Sequence, residues 1–329
     1  MNRRDFFKMM SFAAIAAGTR QMSYGQVADY LTINHAGDGV PYVKLNNGVE
    51  MPRFGIGTFA QPSNEVCRNS VLAALNAGYR HIDTAHAYND ERGVGQAIKD
   101  SGVNRKDIWV TSKLWASDYA TGDITEGLDK MLQRLQTDYI DLLYIHQPIG
   151  KVVEAWGGMI KAYKQGKIRA LGISNFDYPD QEVQDLFHEI CDHSEMKPQV
   201  LQIECNPYAQ RLEMRKKIEP YQIQLECWFP LGGMMSQGAF AKDPVIQQIA
   251  KAHNKTTYQV VLRWHIQEGF SVIPGSKNPD HIKENIDIFD FELTEPEMTA
   301  MRGLNKEQRF YNSPYSNLRG FVSNRALED

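Results

Sequence analysis

The chain has 329 residues, 42% of them hydrophobic and 10% aromatic, with a formal net charge of −4. That is ample for one large domain or two small ones around a sizeable core, and the mildly acidic balance offers no footprint for a nucleic-acid partner. The four cysteines (Cys67, Cys191, Cys205, Cys227) stand far apart without metal-ligand spacing, and no stretch is long and apolar enough for a stable membrane span.

The N-terminus reads differently from the rest. Arg3 and Arg4, then Phe6 and Lys8, precede an alanine-rich apolar run from Met9 to Gly18. A charged segment before a short hydrophobic one is the pattern of a secretory signal. The arginine pair resembles a twin-arginine export signal, although Asn2 and Phe7 depart from its usual residues. Ser23-Tyr24-Gly25 is a small-x-small cleavage site. The expected organisation is a removable signal peptide over 1–25, a linker over 26–40 and a folded domain over 41–329 of a periplasmic protein. A cytoplasmic enzyme with an amphipathic N-terminal helix is the alternative.

Two short alternating runs around Asn47-Gly48 predict a hairpin between Val43 and Met51. Phe54–Thr58 then predicts a buried strand and Val66–Ala77 a helix. A strand over His81–Asp83 is followed by a polar loop carrying His86 and Tyr88, and by a helix from Glu91 to Ile98. Further strands are predicted at 108–112, 139–145, 169–173, 200–204, 224–228 and 272–273. Helices are predicted at 124–135, 152–165, 181–191, 212–221 and 244–253, with 278–288 closing the last unit and one more helix at 295–304. About eight strand–helix units predict a (β/α)8 barrel. Residues 309–329 read as a tail without periodicity. Gly55-x-Gly57-x-x-Ala60 has the outline of a dinucleotide fingerprint, but Pro62 and Ser63 start the helix only after the would-be phosphate loop. The strand–helix rhythm also continues to the C-terminus, which argues against a doubly wound sheet with a separate substrate domain.

The ends of the predicted strands carry Asp83, Lys113, His146, Ser174 with Asn175, and Gln202 with Glu204. A barrel turns such groups into its top face. An acid at a strand end with a phenol beyond it fits a catalytic pair, or a buried acid capping the next helix beside a packed tyrosine. A lysine ending a buried strand needs an anion, and Asp83 is within reach. Together the groups suit proton delivery to a carbonyl. The Tyr88 phenol, ordinarily near about 10, is expected to be lowered by the Lys113 ammonium, while His146 orients the substrate oxygen. A metal site from His81, His86 and His146 is the rival, without further ligands recurring at later strand ends.

The motifs MPRFGIGTF, GYRHIDTAHAYNDERGVGQAI, TSKLW, LLYIHQP, GKIRALGISNF, VLQIECNP, WFPLG and IPGSKNPDHIKENIDIFDFEL resemble, in order, those of the aldo-keto reductase family. The resemblance runs from the Asn47-Gly48 hairpin to about Leu304. It implies a TIM barrel with the hairpin closing its bottom and a long C-terminal tail near the active site. It also implies NAD(P)H-dependent reduction of an aldehyde or ketone, with Tyr88 as acid and Asp83, Lys113 and His146 completing a tetrad. The cofactor positions it implies are Gly57, Thr58, Phe59 and Asp83; Ser174, Asn175 and Gln202 on the carboxamide; Trp228, in place of a tyrosine, on the nicotinamide; and Pro230, Leu231 and Gly232 across the pyrophosphate. Ser276, Lys277, Asn278, His281, Glu284 and Asn285 match the adenosine end. Phe59, Tyr88, Trp115 and His146 would line the substrate pocket, with no metal required. Gly275 and His281 stand where the family commonly has a lysine and an arginine facing a 2′-phosphate, so Lys277 is the cation that remains. NADP(H) is favoured, with NAD(H) or dual use as the alternative. In the tail, Arg309 and Arg319 read as solvated surface groups, recognition of an acidic carbonyl compound being the other possibility. A small-molecule substrate and a monomer are expected. An exported cofactor-binding sensor with little turnover is the second functional class.

Overall fold

The structure, a computed structural model, describes Thr32–Asn34, residues 39–325 and Leu327. The export-type signal at 1–25 and most of the linker at 26–40 lie outside the described residues. Within that linker β1 (Thr32–Asn34) pairs antiparallel with β2 (Pro41–Lys44), which pairs in turn with β3 (Glu50–Pro52). Strands β2 and β3 are the hairpin signalled by Asn47-Gly48. Its tip is pinned below the barrel, where Asn46 Nδ2 donates to Pro198 O (2.8 Å) and Asn47 Nδ2 to Arg169 O (3.0 Å).

The barrel then runs β4 (Ile56–Gly57), α1 (Asn64–Asn76), β5 (His81–Asp83), α2 (Glu91–Ser101), β6 (Trp109–Leu114), α3 (Thr125–Leu135), β7 (Ile140–Ile145) and α4 (Val152–Lys164). It continues with β8 (Ile168–Ser174), α5 (Gln181–His188), β9 (Val200–Glu204), α6 (Leu212–Ile218), β10 (Gln224–Trp228), α7 (Ala239–Lys242), α8 (Pro244–His253), α9 (Thr257–Gln267) and β11 (Ser271–Val272). Helices α10 (Pro279–Ile286), α11 (Glu295–Arg302) and α12 (Tyr315–Asn324) follow. Strands β4 to β11 pair in parallel and in chain order, because each crossover helix returns the chain to start the next strand alongside the last. The ends of this eight-stranded sheet meet: Gly55 N donates to Val272 O and Val272 N to Arg53 O, each at 2.9 Å, around a Phe54–Val272 bridge. The fold is the predicted (β/α)8 barrel.

Besides β1 within the expected linker and the short α7, two elements depart from the sequence reading. Helix α9 escapes prediction because it is buried almost all round from Gln259 to Ile266, leaving no polar face to set a period. The capping box of Thr256 and Gln259 is the signal that marks its start. The tail read as aperiodic forms α12, which buries Tyr315, Leu318 and Val322 along one side.

Side chains pointing outward from the sheet, such as Ile82, Val110, Leu143 and Ile173, pack under the helices in one large core. A second cluster, including Val43, Leu45, Met51, Leu142 and Tyr144, fills the lower barrel and is sealed by the hairpin. Room for the Tyr144 ring comes from β8. A Cβ at Gly172 would stand 2.3 Å from that ring, so only glycine fits opposite it. The Tyr144 hydroxyl can then donate upward to Glu226 Oε2 at 2.8 Å.

Candidate active site

Parallel strands place all their C-terminal ends on one face, so residues distant in sequence meet there. Strand β5 ends in Asp83, β6 carries Lys113, and a 3-10 turn (His86–Tyr88) brings Tyr88 over them. His146 follows β7, its N–H donating to Leu114 O at 3.1 Å.

Lys113 is fully buried and its ammonium has three acceptors: Asp83 Oδ1 (2.5 Å), Thr84 O (2.9 Å) and Tyr88 Oη (3.4 Å). Burial alone pulls an ammonium's pKa down, but Asp83 and Tyr88 more than reverse this, and Lys113 is held raised and charged. The other Asp83 oxygen accepts from Gln202 Nε2 (2.8 Å), which also donates to Glu226 Oε2 (2.6 Å).

Tyr88 differs from the expectation. Burial pushes its phenol up to about 12, outweighing the downward pull of Lys113, and the charge of Asp83 behind the ammonium adds to the rise. The Phe59 and His146 rings stand edge-on to Tyr88, at 5.1 and 5.6 Å between centroids, and desolvate a phenolate more than one shared ammonium can offset. Tyr88 is therefore a neutral phenol holding its proton. His146 is pushed well below the ordinary imidazole range, first by burial and then by Lys113 and Arg325, so its ring is neutral too. Its Nδ1 is buried with no hydrogen-bond partner among the described residues.

Two of the three histidines of the metal alternative are engaged separately. His81 contacts Pro52 O and Thr111 Oγ1 (3.1 and 3.0 Å), and His86 Nδ1 meets the Asp118 carboxylate at 2.8 Å.

The positions matched to a dinucleotide lie along loops that the barrel order makes neighbours, those after β4, β10 and β11, with β8 and β9 beside them. Trp228 is half-buried and its Nε1 donates to Asn175 Oδ1 (3.0 Å), while Asn175 Nδ2 donates to His146 O and Ser174 Oγ (3.1 Å each). Asn175, in the left-handed region at φ 65°, thus ties the indole to the histidine. Gln202 has its amide nitrogen engaged by two carboxylates, so its carbonyl oxygen is what it retains for a ligand. Phe59 stands open at the mouth, 5.8 Å from the Phe229 ring. Pro230 and Gly232 are buried and Leu231 half-buried. At the far end Asn278 caps α10, its Oδ1 accepting from Asp280 N (2.9 Å), and Ser276 Oγ accepts from Asn278 N (3.1 Å). Lys277 and His281 are exposed there, Asn285 is buried, and Glu284 accepts from Thr256 Oγ1 (2.7 Å). A helix start beside an exposed lysine suits a phosphate, and a half-buried indole face suits a planar ring, so these residues fit a nicotinamide dinucleotide.

Three features were missed by the sequence reading. Gly275 is more than a lost cation: a Cβ there would stand 2.9 Å from Gly57 O, so the loops after β4 and β11 require the glycine. Glu204 anchors the tail, accepting from Phe310 N (2.6 Å) and Tyr311 N (3.1 Å). Arg309 is accordingly no solvated group; it is largely buried between Glu204 (3.3 Å) and Asp177 (3.4 Å). Arg319 is exposed as expected and pairs with Glu182 at 2.8 Å.

Comparison with known proteins gives a consistent picture. The model of the Aldo/keto reductase family matches residues 53–306. Glyoxal reductase of Bacillus subtilis is 44% identical over 273 residues, which cover 83% of this chain and 95% of that protein. The 9,11-endoperoxide prostaglandin H2 reductase of Trypanosoma cruzi is 40% identical, covering 83% of this chain and 94% of its own. Among solved structures, the aldo-keto reductase of Bombyx mori in complex with NADP superposes with a TM-score of 0.75 at 33% identity, covering 83% of this chain and 95% of that one.

Replacing Lys113 by methionine leaves Asp83 buried without its cation and is expected to lower stability by about 3–5 kcal/mol at neutral pH. Burial raises the Asp83 pKa, and Lys113 is the first group opposing that rise. In the variant the folded-state pKa therefore lies well above the unfolded one. Its deficit is smallest below the unfolded pKa and grows as pH rises through the folded value. Thermal melts of both proteins at acid and neutral pH check this; a deficit independent of pH would dissociate Asp83 from the loss.

Proposed function

Because the chain belongs to the aldo/keto reductase family of oxidoreductases, we propose that it reduces an aldehyde or ketone with NAD(P)H, Tyr88 acting as the general acid. The observation that carries the assignment is the 3.4 Å contact of Lys113 Nζ with Tyr88 Oη, made by an ammonium that Asp83 fixes from behind. As negative charge begins to form on the phenol oxygen during proton transfer, the ammonium stabilises it. In the resting site the same phenol stays protonated. His146, neutral and edge-on to Tyr88, orients the substrate oxygen by a hydrogen bond without adding a fixed charge. The reduced nicotinamide, when bound, supplies the hydride. Trp228, with Ser174, Asn175 and Gln202, would hold its ring, and Gly57, Thr58 and Phe59 would border it. Pro230, Leu231 and Gly232 would cross the pyrophosphate, and Ser276 to Asn285 would take the adenosine end.

Steady oxidation of NADPH by the protein in the presence of a generic aldehyde tests the reading. Tyr88→Phe should bind NADPH normally, by fluorescence titration, and lose at least about 10²–10⁴-fold in turnover. Near-normal turnover would remove Tyr88 from the acid role, and a single oxidation without turnover would favour the sensor.

NADP(H) is the favoured cofactor, and Lys277 is the exposed cation assigned to its 2′-phosphate. A charge-assisted bond of that kind contributes about 1.5–3 kcal/mol, so Lys277→Ala should weaken NADPH roughly tenfold or more. NADH binding should hardly change, and equal weakening of both would place the preference elsewhere. Gly275→Lys is no test of the site, since the Gly57 carbonyl excludes its Cβ.

Export rests on the N-terminal residues alone. Substituting lysine for both Arg3 and Arg4 should retain the full-length protein in the cytoplasm. Equal periplasmic amounts of the two forms on fractionation would overturn it.

A further inference from the structure

We propose that Arg325 forms an anion-binding subsite at the barrel mouth, selecting an oxo acid whose carboxylate stands about the width of one aromatic ring from the reacting carbonyl. The inference rests on the carbonyl-reduction reading above and narrows its substrate class.

Helix α12 is docked against the barrel. The Tyr315 hydroxyl donates to Pro148 O (2.8 Å), its ring lies 5.5 Å from that of Tyr178, and Leu318 and Val322 are buried beneath the helix. The helix ends at Arg325, whose Nη2 donates to Ala87 O at 3.1 Å, immediately before Tyr88 in the chain. The guanidinium carbon stands 5.8 Å from the Trp115 ring centre and 5.3 Å from that of Phe321. Trp115 in turn meets His146 edge-on at 5.1 Å. A single indole therefore separates the cation from the histidine of the reacting centre. Its charge is felt there, as the third cause, after burial and Lys113, of the low pKa of His146.

The neighbouring cations are already matched. Lys113 has Asp83, Arg309 has Asp177 and Glu204, and Arg319 has Glu182. Among the described residues no carboxylate pairs with Arg325, and its acceptor is a neutral backbone carbonyl. A guanidinium presents five donors in a planar fork that matches a carboxylate two bonds at a time, and Ala87 takes a share of that fork only. Being half-buried among rings, it also gains more from an anion than a fully solvated arginine would. The surroundings set the rest of the ligand. The carbonyl lies at Tyr88 and His146, a flat or apolar body passes over Trp115, and the acid reaches Arg325.

The test uses a matched pair, 4-formylbenzoate and its methyl ester, with the full chain and NADPH. The wild type should favour the acid in kcat/KM, chiefly through KM. In Arg325→Met, which keeps the apolar stem, the acid-to-ester ratio should fall about tenfold or more. Arg325→Lys should restore part of it. Glyoxylate, whose acid adjoins the carbonyl, is too short to gain from the subsite. Binding of the product 4-(hydroxymethyl)benzoate, followed by tryptophan fluorescence, reads the subsite without turnover. If the acid-to-ester preference for the product ligands depends on Arg325 but neither aldehyde is reduced, the subsite stands and the reductase reading falls. If the wild type shows no preference for the acid, or the ratio is the same in Arg325→Met, the subsite is overturned.

Discussion

The buried ammonium of Lys113 is the constraint on which the site depends. An ammonium out of water is tolerable only with its hydrogens matched, and here Asp83, Thr84 and Tyr88 take all three. The match reaches down the barrel. Gln202 bridges Asp83 to Glu226, and Tyr144 holds Glu226 from below through the space that Gly172 leaves. Burial raises the Glu226 carboxyl, and both its donors, Gln202 and Tyr144, address Oε2, while Oε1 faces the His81 ring at 3.7 Å without a hydrogen bond among the described residues.

Barrel closure imposes a second constraint, and it reaches the cofactor side. Strands β4 and β11 approach so closely that Gly57 and Gly275 lie back to back, with Gly57 N also donating to Pro274 O at 3.3 Å. The absence of a cation at position 275 is thus a consequence of packing as well as a feature of recognition. The tail is bound by the same kind of long-range contact. Glu204 at the end of β9 takes two backbone N–H groups of the tail and the Arg309 side chain. This makes the tail part of the barrel's top face, and α12 can then present Arg325 with a fixed geometry.

Much of this was legible in the sequence, and the reason is local. Asp83, Lys113 and His146 each stand at or beside the C-terminal end of a buried strand, and a polar group at such a point has one place to go in a barrel. The strand at His81–Asp83 and those at Val200–Glu204 and Gln224–Trp228 fall where periodicity put them. What escaped depends on partners far along the chain. Arg309 and Glu204 are 105 residues apart, and nothing near either one announces the pairing. The rise of Tyr88 depends on Phe59 and His146 closing around it, whereas sequence reasoning counted the ammonium and missed the desolvation. Arg325 lies at the end of a helix whose period was itself overlooked.

The electrostatics of the mouth then follow from these contacts together. Both groups that would meet a carbonyl oxygen, Tyr88 and His146, are neutral donors, and the cations stand behind or beside them. A neutral ground-state carbonyl gains only ordinary hydrogen bonds from such a pair. An oxygen acquiring negative charge would gain in addition from Lys113, one hydrogen bond away through the phenol. On the proposed roles the arrangement would favour the transition state over the bound substrate, which is what raises kcat rather than merely lowering KM. Had Lys113 reached the substrate directly, it would have bound carboxylates and other resting anions at the reacting centre. With the phenol interposed and Arg325 set off beyond Trp115, the proposed charge recognition and chemistry would occupy different ends of the pocket.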